Sequence, residues 1–162
     1  MFTLILFVSL LMNSNSSAAA KPGACSFLTN ANAAKILGGA VKTVDGEYFE
    51  KDQEQRWKCT ATVEGATADD SPKLHFMLIR SKSEEAAVQD FAVIRKSNEK
   101  LPGFELWPGV GDEALVHSDG SGFQLIVLRK GASSFRIKVN PIKGVDLDVV
   151  KDVAKELAGK MK

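Results

Sequence analysis

The sequence predicts an α+β fold, in which a single twisted antiparallel sheet of about six strands packs with three helices in the order α-βββ-α-βββ-α. Segments typical of strands occur in two groups of three, one within residues 40–79 and the other within residues 107–139. A segment with apolar residues at helical spacing precedes each group, and a third closes the chain at 145–162. Turns rich in glycine connect the second group, as hairpins require. The chain therefore divides into two similar halves, each a helix followed by a meander.

The first helix is predicted over residues 30–37. Thr29 or Asn30 can accept a hydrogen bond from an unpaired backbone N–H at its start, and Gly38 can end it in a left-handed conformation. Residues 40–50 then form a ragged strand or hairpin around an Asp-Gly turn.

Two clearer strands follow. In residues 56–64 a set of alternating side chains faces one side of the sheet: Trp57, Cys59, Ala61 and Val63. Residues 74–79 are almost continuously apolar, which favours a central position in the sheet. Cys59 is therefore expected to point into the core.

The second half begins with a helix that Ser83 can cap and whose inner face carries Phe91. The strand at 123–128 is apolar on both faces, so it is predicted in the middle of the sheet. The strand at 135–139 is expected to have one face in the core and one in water. The final helix has one apolar stripe, formed by Leu147, Val150, Val153, Ala154 and Leu157.

The first twenty residues have the pattern of a secretory signal peptide. Residues 1–12 are apolar but too few to cross a bilayer, and Ala18 and Ala20 are the small residues that signal peptidase accepts. Cleavage after Ala20 leaves residues 21–162 as a single α+β domain with no stable transmembrane segment. The alternative is a lipoprotein anchored through Cys25, although the residue three positions earlier is not the aliphatic one usually needed.

The composition narrows the classes of partner. The chain has 21 Lys and Arg residues and 20 Asp and Glu residues, so it has no large basic field and no acidic tail, and nucleic acid is not expected as a partner. About 140 residues after the leader are enough for one domain with a core and too few for two. The sequence does not indicate an oligomeric state.

Two cysteines are present, Cys25 and Cys59. In the oxidising compartment that the leader implies, we expect a disulfide between them, closing a loop of about 35 residues and contributing roughly 3 to 4 kcal/mol. Two buried thiols or a pair of metal ligands are the alternatives. Since there is no Cys-x-x-Cys and the two histidines are far apart, no metal site is predicted.

The aromatic loop before the second meander is the candidate binding region. Trp107, with Phe104 nearby, is expected to line a groove at the edge of the sheet, because loop aromatics are common at binding sites. The alternative is that Trp107 simply covers the core. The Gly109-Val110-Gly111 sequence resembles half of a phosphate loop, but it is more simply a bend that lets Trp107 pack against the sheet.

His117 is a further candidate for binding, and it is also the centre of an enzymatic alternative. A hydrolase triad would join it to Asp112 and a serine, but no Gly-x-Ser-x-Gly sequence is present and no catalytic residue is assigned. Asp112 and Glu113 are neighbours in a strand-like segment, so their side chains are expected to diverge rather than to share a proton.

Five short segments resemble those of a known family: 25–29 (Cys-Ser-Phe-Leu-Thr), 37–41 (Leu-Gly-Gly-Ala-Val), Cys59, 109–114 (Gly-Val-Gly-Asp-Glu-Ala) and 127–131 (Val-Leu-Arg-Lys-Gly). The family consists of small exported bacterial proteins of unassigned function, mostly lipoproteins and sensor-like domains, with a Cys-Ser-Leu-Leu-Thr opening and a Gly-Leu-Gly-Asp-Glu-Ala segment before a hairpin. This resemblance implies a disulfide between Cys25 and Cys59 and a binding or sensing role rather than catalysis. The chain departs from the pattern at Phe27 and Val110, where the family has Leu, and it lacks a clear lipobox.

These observations together predict a non-enzymatic, exported binding or accessory domain of the bacterial cell envelope that uses no cofactor. Its partner is an unknown small molecule or an envelope protein. The alternatives are a small envelope hydrolase that uses His117 with nearby carboxylates, and a structural partner of an envelope protein complex. They differ in what they require: a pocket with converging polar groups for an enzyme, an apolar groove for a binding domain, and an exposed apolar patch for an interaction protein.

Overall fold

The computed structural model describes residues 23–66, 71–120 and 122–161, so the predicted signal peptide at 1–20 lies outside the described residues. Over those ranges the chain forms one antiparallel sheet with helices on both faces. The predicted α+β class with a single antiparallel sheet is therefore confirmed. No helix in this part of the chain is long and apolar enough to span a membrane.

The described residues form four helices, one more than predicted: α1 (Ala24–Leu28), α2 (Asn30–Leu37), α3 (Glu84–Asn98) and α4 (Leu147–Lys160). The extra helix arises because Thr29, with a φ of 60°, separates α1 from α2. The Thr29 hydroxyl caps α2 by accepting a hydrogen bond from the backbone N–H of Asn32. Gly38 ends α2 in the left-handed conformation, as the sequence predicts.

Eight strands form the sheet, two more than predicted: β1 (Val41–Asp45), β2 (Phe49–Lys51), β3 (Glu54–Val63), β4 (Lys73–Arg80), β5 (Phe104–Leu106), β6 (Glu113–Ser118), β7 (Gln124–Lys130) and β8 (Ser133–Asn140). The two additional strands are β2 and β5, which have three residues each. So few residues cannot display a reliable alternating pattern, and both strands lie at the margins of the sheet.

The strands are ordered β1-β3-β4-β8-β7-β6-β5, and β2 pairs with the first residues of β3. Each half of the chain supplies a meander, as predicted, and the last strands of the two meanders, β4 and β8, pair with each other near the centre. The helices differ between the halves, because α1 and α2 pack on one face of the sheet and α3 packs on the other.

The first face of the sheet is the one covered by α1, α2 and α4, and it holds the main core. The ring of Phe76 in β4 lies between Phe27 of α1, at a centroid distance of 5.9 Å, and Phe135 of β8, at 5.7 Å. Helix α4 contributes its predicted apolar stripe, with Val150, Val153, Ala154 and Leu157 buried. This packing attaches the first and last helices to the middle of the sheet.

A disulfide joins Cys25 of α1 to Cys59 of β3, with the two Cα atoms 5.0 Å apart. Cys59 is buried and faces α1, as the alternation in β3 predicts. The disulfide prediction is therefore confirmed, and the alternatives of two free thiols or a metal pair are wrong. The bond holds α1 against the sheet beside Phe27 and Phe76.

The second face of the sheet is only partly covered. Helix α3 crosses β6, β7 and β8 and buries Phe91 against Leu115 and Val127. Ser83 caps this helix by accepting a hydrogen bond from the backbone N–H of Ala86, as predicted. Helix α3 leaves the second face of β1, β3 and the first part of β4 uncovered within the described residues, since Lys58 and His75 are exposed there, whereas Ile79 at the end of β4 is buried. This bare half of the sheet adjoins the end of α3.

Candidate ligand-binding site

The three residues predicted to bind a ligand do not lie together. Phe104 and His117 are direct partners across the β5–β6 pair and share the second face. Trp107 packs against the main core on the first face, where Lys151 and Lys155 of α4 lie 5.8 and 5.6 Å from its ring centroid. Trp107 thus helps to cover the core, and it also borders a small cavity of about 190 Å³.

His117 connects β6 to α3 through a side-chain hydrogen bond. Its side chain is 4% exposed, and its Nδ1 lies 2.9 Å from the Oδ1 of Asn98 in the last turn of α3. The Asn98 amide nitrogen donates to the carbonyl of Ile94, which leaves Oδ1 as the acceptor and requires Nδ1 of His117 to be the donor. The ring also packs edge-on against Phe123, at a centroid distance of 5.0 Å. The partner of this imidazole is an amide and an aromatic ring rather than a carboxylate.

The carboxylates proposed to work with His117 are engaged elsewhere. Glu113 and Asp112 both bind the guanidinium of Arg129, with Nε–Oε2 and Nη1–Oδ2 distances of 2.7 and 3.1 Å. The prediction that these two side chains diverge is therefore wrong. Strand alternation starts only at Glu113, because Asp112 lies in the turn that precedes β6, where Gly111 has a φ of 64°. Asp112 also accepts a hydrogen bond from the backbone N–H of Gly131 at 2.7 Å. The Asp112 carboxylate therefore connects the turn before β6 to the turn between β7 and β8.

A space with a mostly apolar lining lies on the second face, between the end of α3 and the bare half of the sheet. We call this space the sheet cleft; its volume is about 470 Å³. Its apolar surface comes from Met77 of β4, Leu125 and Val127 of β7, and Ile94 of α3. A cavity of this size with apolar walls and a few polar groups is typical of small-molecule sites.

Strand register explains which side chains meet in the sheet cleft. Lys58 of β3 lies opposite Met77 of β4, which lies opposite Arg136 of β8. One step along, Thr60 lies opposite His75, which lies opposite Lys138. Directly paired residues project to the same face, so these two rows place four basic side chains around Met77: Lys58, His75, Arg136 and Lys138.

Among these four basic residues, Arg136 has a buried side-chain nitrogen without a hydrogen-bond partner within the described ranges. Its side chain is partly buried, and this nitrogen is its Nε. Burial lowers the pKa of Arg136, with a further lowering from Arg56 and an opposing effect of Asp90 and Glu54. Glu54 itself is paired with Arg56. Arg136 is therefore a cation with an unused donor at the floor of the cleft.

The electrostatic potential of the cleft also acts on His75. Partial burial is the largest cause that lowers the pKa of His75 below 6.5, followed by the charges of Lys138 and Lys73. A proton on this ring is disfavoured by the same positive field that would attract an anion.

A second depression of similar volume, about 490 Å³, lies nearer the start of α3 and has a different character. Its charged residues are three bases and three acids: Lys51, Arg56, Lys82, Asp52, Glu54 and Asp90. Opposite charges at close range compensate one another, so this surface has little preference for a charged ligand. No group of three potential metal-ligating His, Cys, Asp or Glu side chains occurs within residues 23–66, 71–120 and 122–161.

The sequence patterns did not predict the sheet cleft. Lys58, Lys138 and Arg136 each occupy the outward position of a strand with alternating residues, which ordinarily faces water. One signal in the sequence was the pair Met77 and Ile79 in β4. A strand with apolar residues on both faces is usually buried on both, so these two residues indicated that something packs on the second face. In the described structure α3 covers only part of that second face.

Comparison of the chain with protein-family models, curated proteins and solved structures finds no significant match. The resemblance to exported bacterial lipoproteins and sensor-like domains therefore stays a prediction.

Proposed function

We propose that this protein is a non-enzymatic, exported binding domain of the bacterial cell envelope, and that the sheet cleft is its ligand site. The observation that carries the proposal is the incomplete cover of the second face. Met77 and Leu125 are only partly buried there and form, with Ile94 of α3, an apolar lining that α3 leaves open beside the exposed side chains of Lys58 and His75. A small molecule with an apolar part would complete this surface.

Export is supported by the leader-like residues 1–20 and by the disulfide between Cys25 and Cys59. Disulfides persist in oxidising compartments such as the bacterial periplasm. The bond also argues against a lipid anchor at Cys25, because a thioether-linked sulfur cannot form a disulfide. The leading hypothesis is therefore a periplasmic or secreted protein.

Mass spectrometry of protein exported by its own leader tests this part of the proposal. We expect a chain that begins at Lys21 and is lighter than its reduced form by the two hydrogens lost in forming the disulfide. A diacylated chain that begins at Cys25 would overturn both the localisation and the disulfide.

The ligand site is tested with N-phenyl-1-naphthylamine, an uncharged apolar fluorophore. Fluorescence titration of the exported protein is expected to show saturable binding. Thr60→Trp places a large side chain in the cleft from β3, and Ser97→Trp does so from α3, so each variant should abolish binding. The Ser97 side chain is exposed and that of Thr60 is half-buried, so neither change disturbs the core.

Thr62→Trp is the matched control. Thr62 lies two residues from Thr60 on the same face of β3, but it does not line the cleft, so its variant should bind the fluorophore as the original chain does. Absence of saturable binding, or binding that is unchanged in both Thr60→Trp and Ser97→Trp, would overturn the proposed site.

The hydrolase alternative gains no support from the geometry around His117. Glu113 and His117 share one face of β6 but are four residues apart, so their backbones are separated by about 13 Å. The Nδ1 of His117 is hydrogen-bonded to Asn98, and Glu113 forms an ion pair with Arg129. A base and its orienting carboxylate need to be in hydrogen-bond contact, which this arrangement does not provide.

A further inference from the structure

We propose that the ligand of the sheet cleft is a small amphiphile whose head is a carboxylate, bound by Arg136 with help from Lys58 and Lys138; this inference rests on the proposed binding function. It identifies the chemical class of the ligand rather than only the position of the site.

The ionisable side chains that line the cleft are all basic. The side chains that line it include Lys58, His75, Arg136 and Lys138 but no Asp or Glu. The whole chain carries 21 basic and 20 acidic residues, so this concentration of one sign does not reflect the composition. A cleft lined by one sign of charge and bounded by apolar walls attracts ions of the opposite sign.

Arg136 has a buried hydrogen-bond donor that no described residue binds. This donor is the Nε of its guanidinium. A buried donor without a partner is costly, and an acceptor supplied by a ligand removes that cost. The guanidinium is a planar fork that matches the two oxygens of a carboxylate, which is why a carboxylate is the head group we infer.

The basic groups of the cleft lie next to its apolar groups. Lys58 and Arg136 are each one strand away from Met77, so their backbones are about 10 Å apart and their long side chains can converge above its thioether. Lys138 lies two residues from Arg136 on the same face of β8. An apolar chain lying over Met77 and Leu125 would thus end at Lys58 and Arg136, and the Lys138 ammonium, which lies over the Phe123 ring, adds positive charge on the same face. This is the geometry that an amphiphile requires.

The end of α3 does not oppose an anion strongly. A helix C-terminus has a partial negative charge from its unpaired carbonyls. Two of the last four carbonyls of α3 are nevertheless paired: that of Arg95 accepts from the backbone N–H of Glu99 at 2.8 Å, and that of Asn98 accepts from the N–H of Leu101 at 2.9 Å. These donors reduce the negative charge at the helix end that borders the cleft.

Isothermal titration of the exported protein with four ligands of equal chain length tests the inference. The ligands are decanoate, decyl phosphate, decanol and decyltrimethylammonium. We expect decanoate to bind at least tenfold more tightly than decanol and than decyl phosphate, and decyltrimethylammonium not to bind. Preference for decanol or for the cation would overturn the anionic head, and preference for decyl phosphate would overturn the carboxylate.

Substitutions at Arg136 test whether this residue binds the head group of the ligand. Arg136→Gln should weaken decanoate binding about tenfold or more while leaving the affinity for N-phenyl-1-naphthylamine unchanged. Arg136→Lys keeps the charge but removes the planar fork, so it should restore only part of the loss. Lys42→Gln removes one positive charge from the same face of β1 outside the cleft, and it should have little effect.

The results separate the two proposals. If the fluorophore binds in the cleft but decanoate binds no better than decanol, the carboxylate inference fails and the binding function stands. If neither the fluorophore nor any decyl ligand binds, both fail. Loss of decanoate and fluorophore binding together in Arg136→Gln would show that Arg136 shapes the cleft rather than recognising the head group, and would overturn its assignment.

Discussion

The Nδ1 of His117 donates a hydrogen bond to the Oδ1 of Asn98 over 2.9 Å, and this bond connects the end of α3 to β6. It gives the buried histidine a structural role and sets one wall of the sheet cleft, because Asn98 lines that space. The bond therefore helps to hold the end of α3 beside the cleft, together with the packing of Phe91 against Leu115 and Val127.

We expect His117→Ala to lower the free energy of unfolding by about 1 to 3 kcal/mol, because the partly buried Asn98 oxygen loses its donor. Urea denaturation measures this change. His75→Ala is the control, since that exposed ring on the same face should change stability by less than about 0.5 kcal/mol. Equal effects of the two substitutions would contradict the structural role of His117.

The disulfide is expected to contribute about 3 to 4 kcal/mol, because it closes a loop with a sequence separation of 34 in the unfolded chain. The double variant Cys25→Ser and Cys59→Ser should lose that amount in urea denaturation. Adding a reductant to the original chain should produce the same loss and should leave the double variant unchanged. A stability that does not depend on the reductant would contradict this prediction.

Arg129 holds Asp112 and Glu113 together, and its side chain is only 7% exposed. Arg129→Met should lower the free energy of unfolding by about 2 to 3 kcal/mol, less than for fully buried pairs because the carboxylates reach water. Glu84 also approaches Arg129, at 3.6 Å, but its side chain is 62% exposed. Glu84→Gln should therefore cost less than about 0.5 kcal/mol in the same denaturation measurement, and a larger cost than that of Arg129→Met would contradict the assignment.

The pKa of His75 is expected to lie below 6.5, and Lys138→Gln should raise it because Lys138 contributes more of the lowering than Lys73 does. NMR titration of the imidazole protons measures both values, with His75→Gln identifying the resonance. Lys73→Gln should raise the pKa less than Lys138→Gln does. The reverse order would show that Lys138 is not close to His75 in solution.

The same shift fixes the direction of a pH effect on stability. Between the lowered pKa of folded His75 and its ordinary value near 6.5, the unfolded chain binds more protons than the folded chain. The contribution of His75 to the free energy of unfolding therefore decreases as the pH falls through that interval and is constant below it. Comparing the pH dependence of unfolding in the original chain and in His75→Gln isolates this contribution, and identical profiles would contradict it.

Local patterns in the sequence determined much of the fold. Alternation in β3 and β8 identified their faces, Thr29 and Ser83 capped helices where predicted, and two cysteines in an exported chain predicted the bond that the structure contains. These features depend on contacts between residues near in sequence, or on a pairing with only one possible partner. Spacing and residue type are enough to predict them.

Only the tertiary structure decided where the candidate site lies. Lys58, Met77 and Arg136 come from three strands, and they form a row because β4 pairs with both β3 and β8 in one register. No local pattern specifies that register or the face on which α3 packs, since both depend on the total burial that distant segments achieve together. The alternation in β8 correctly placed Arg136 on the face opposite the main core, but that face is partly covered by α3 rather than open to water, and this cover makes it a cleft.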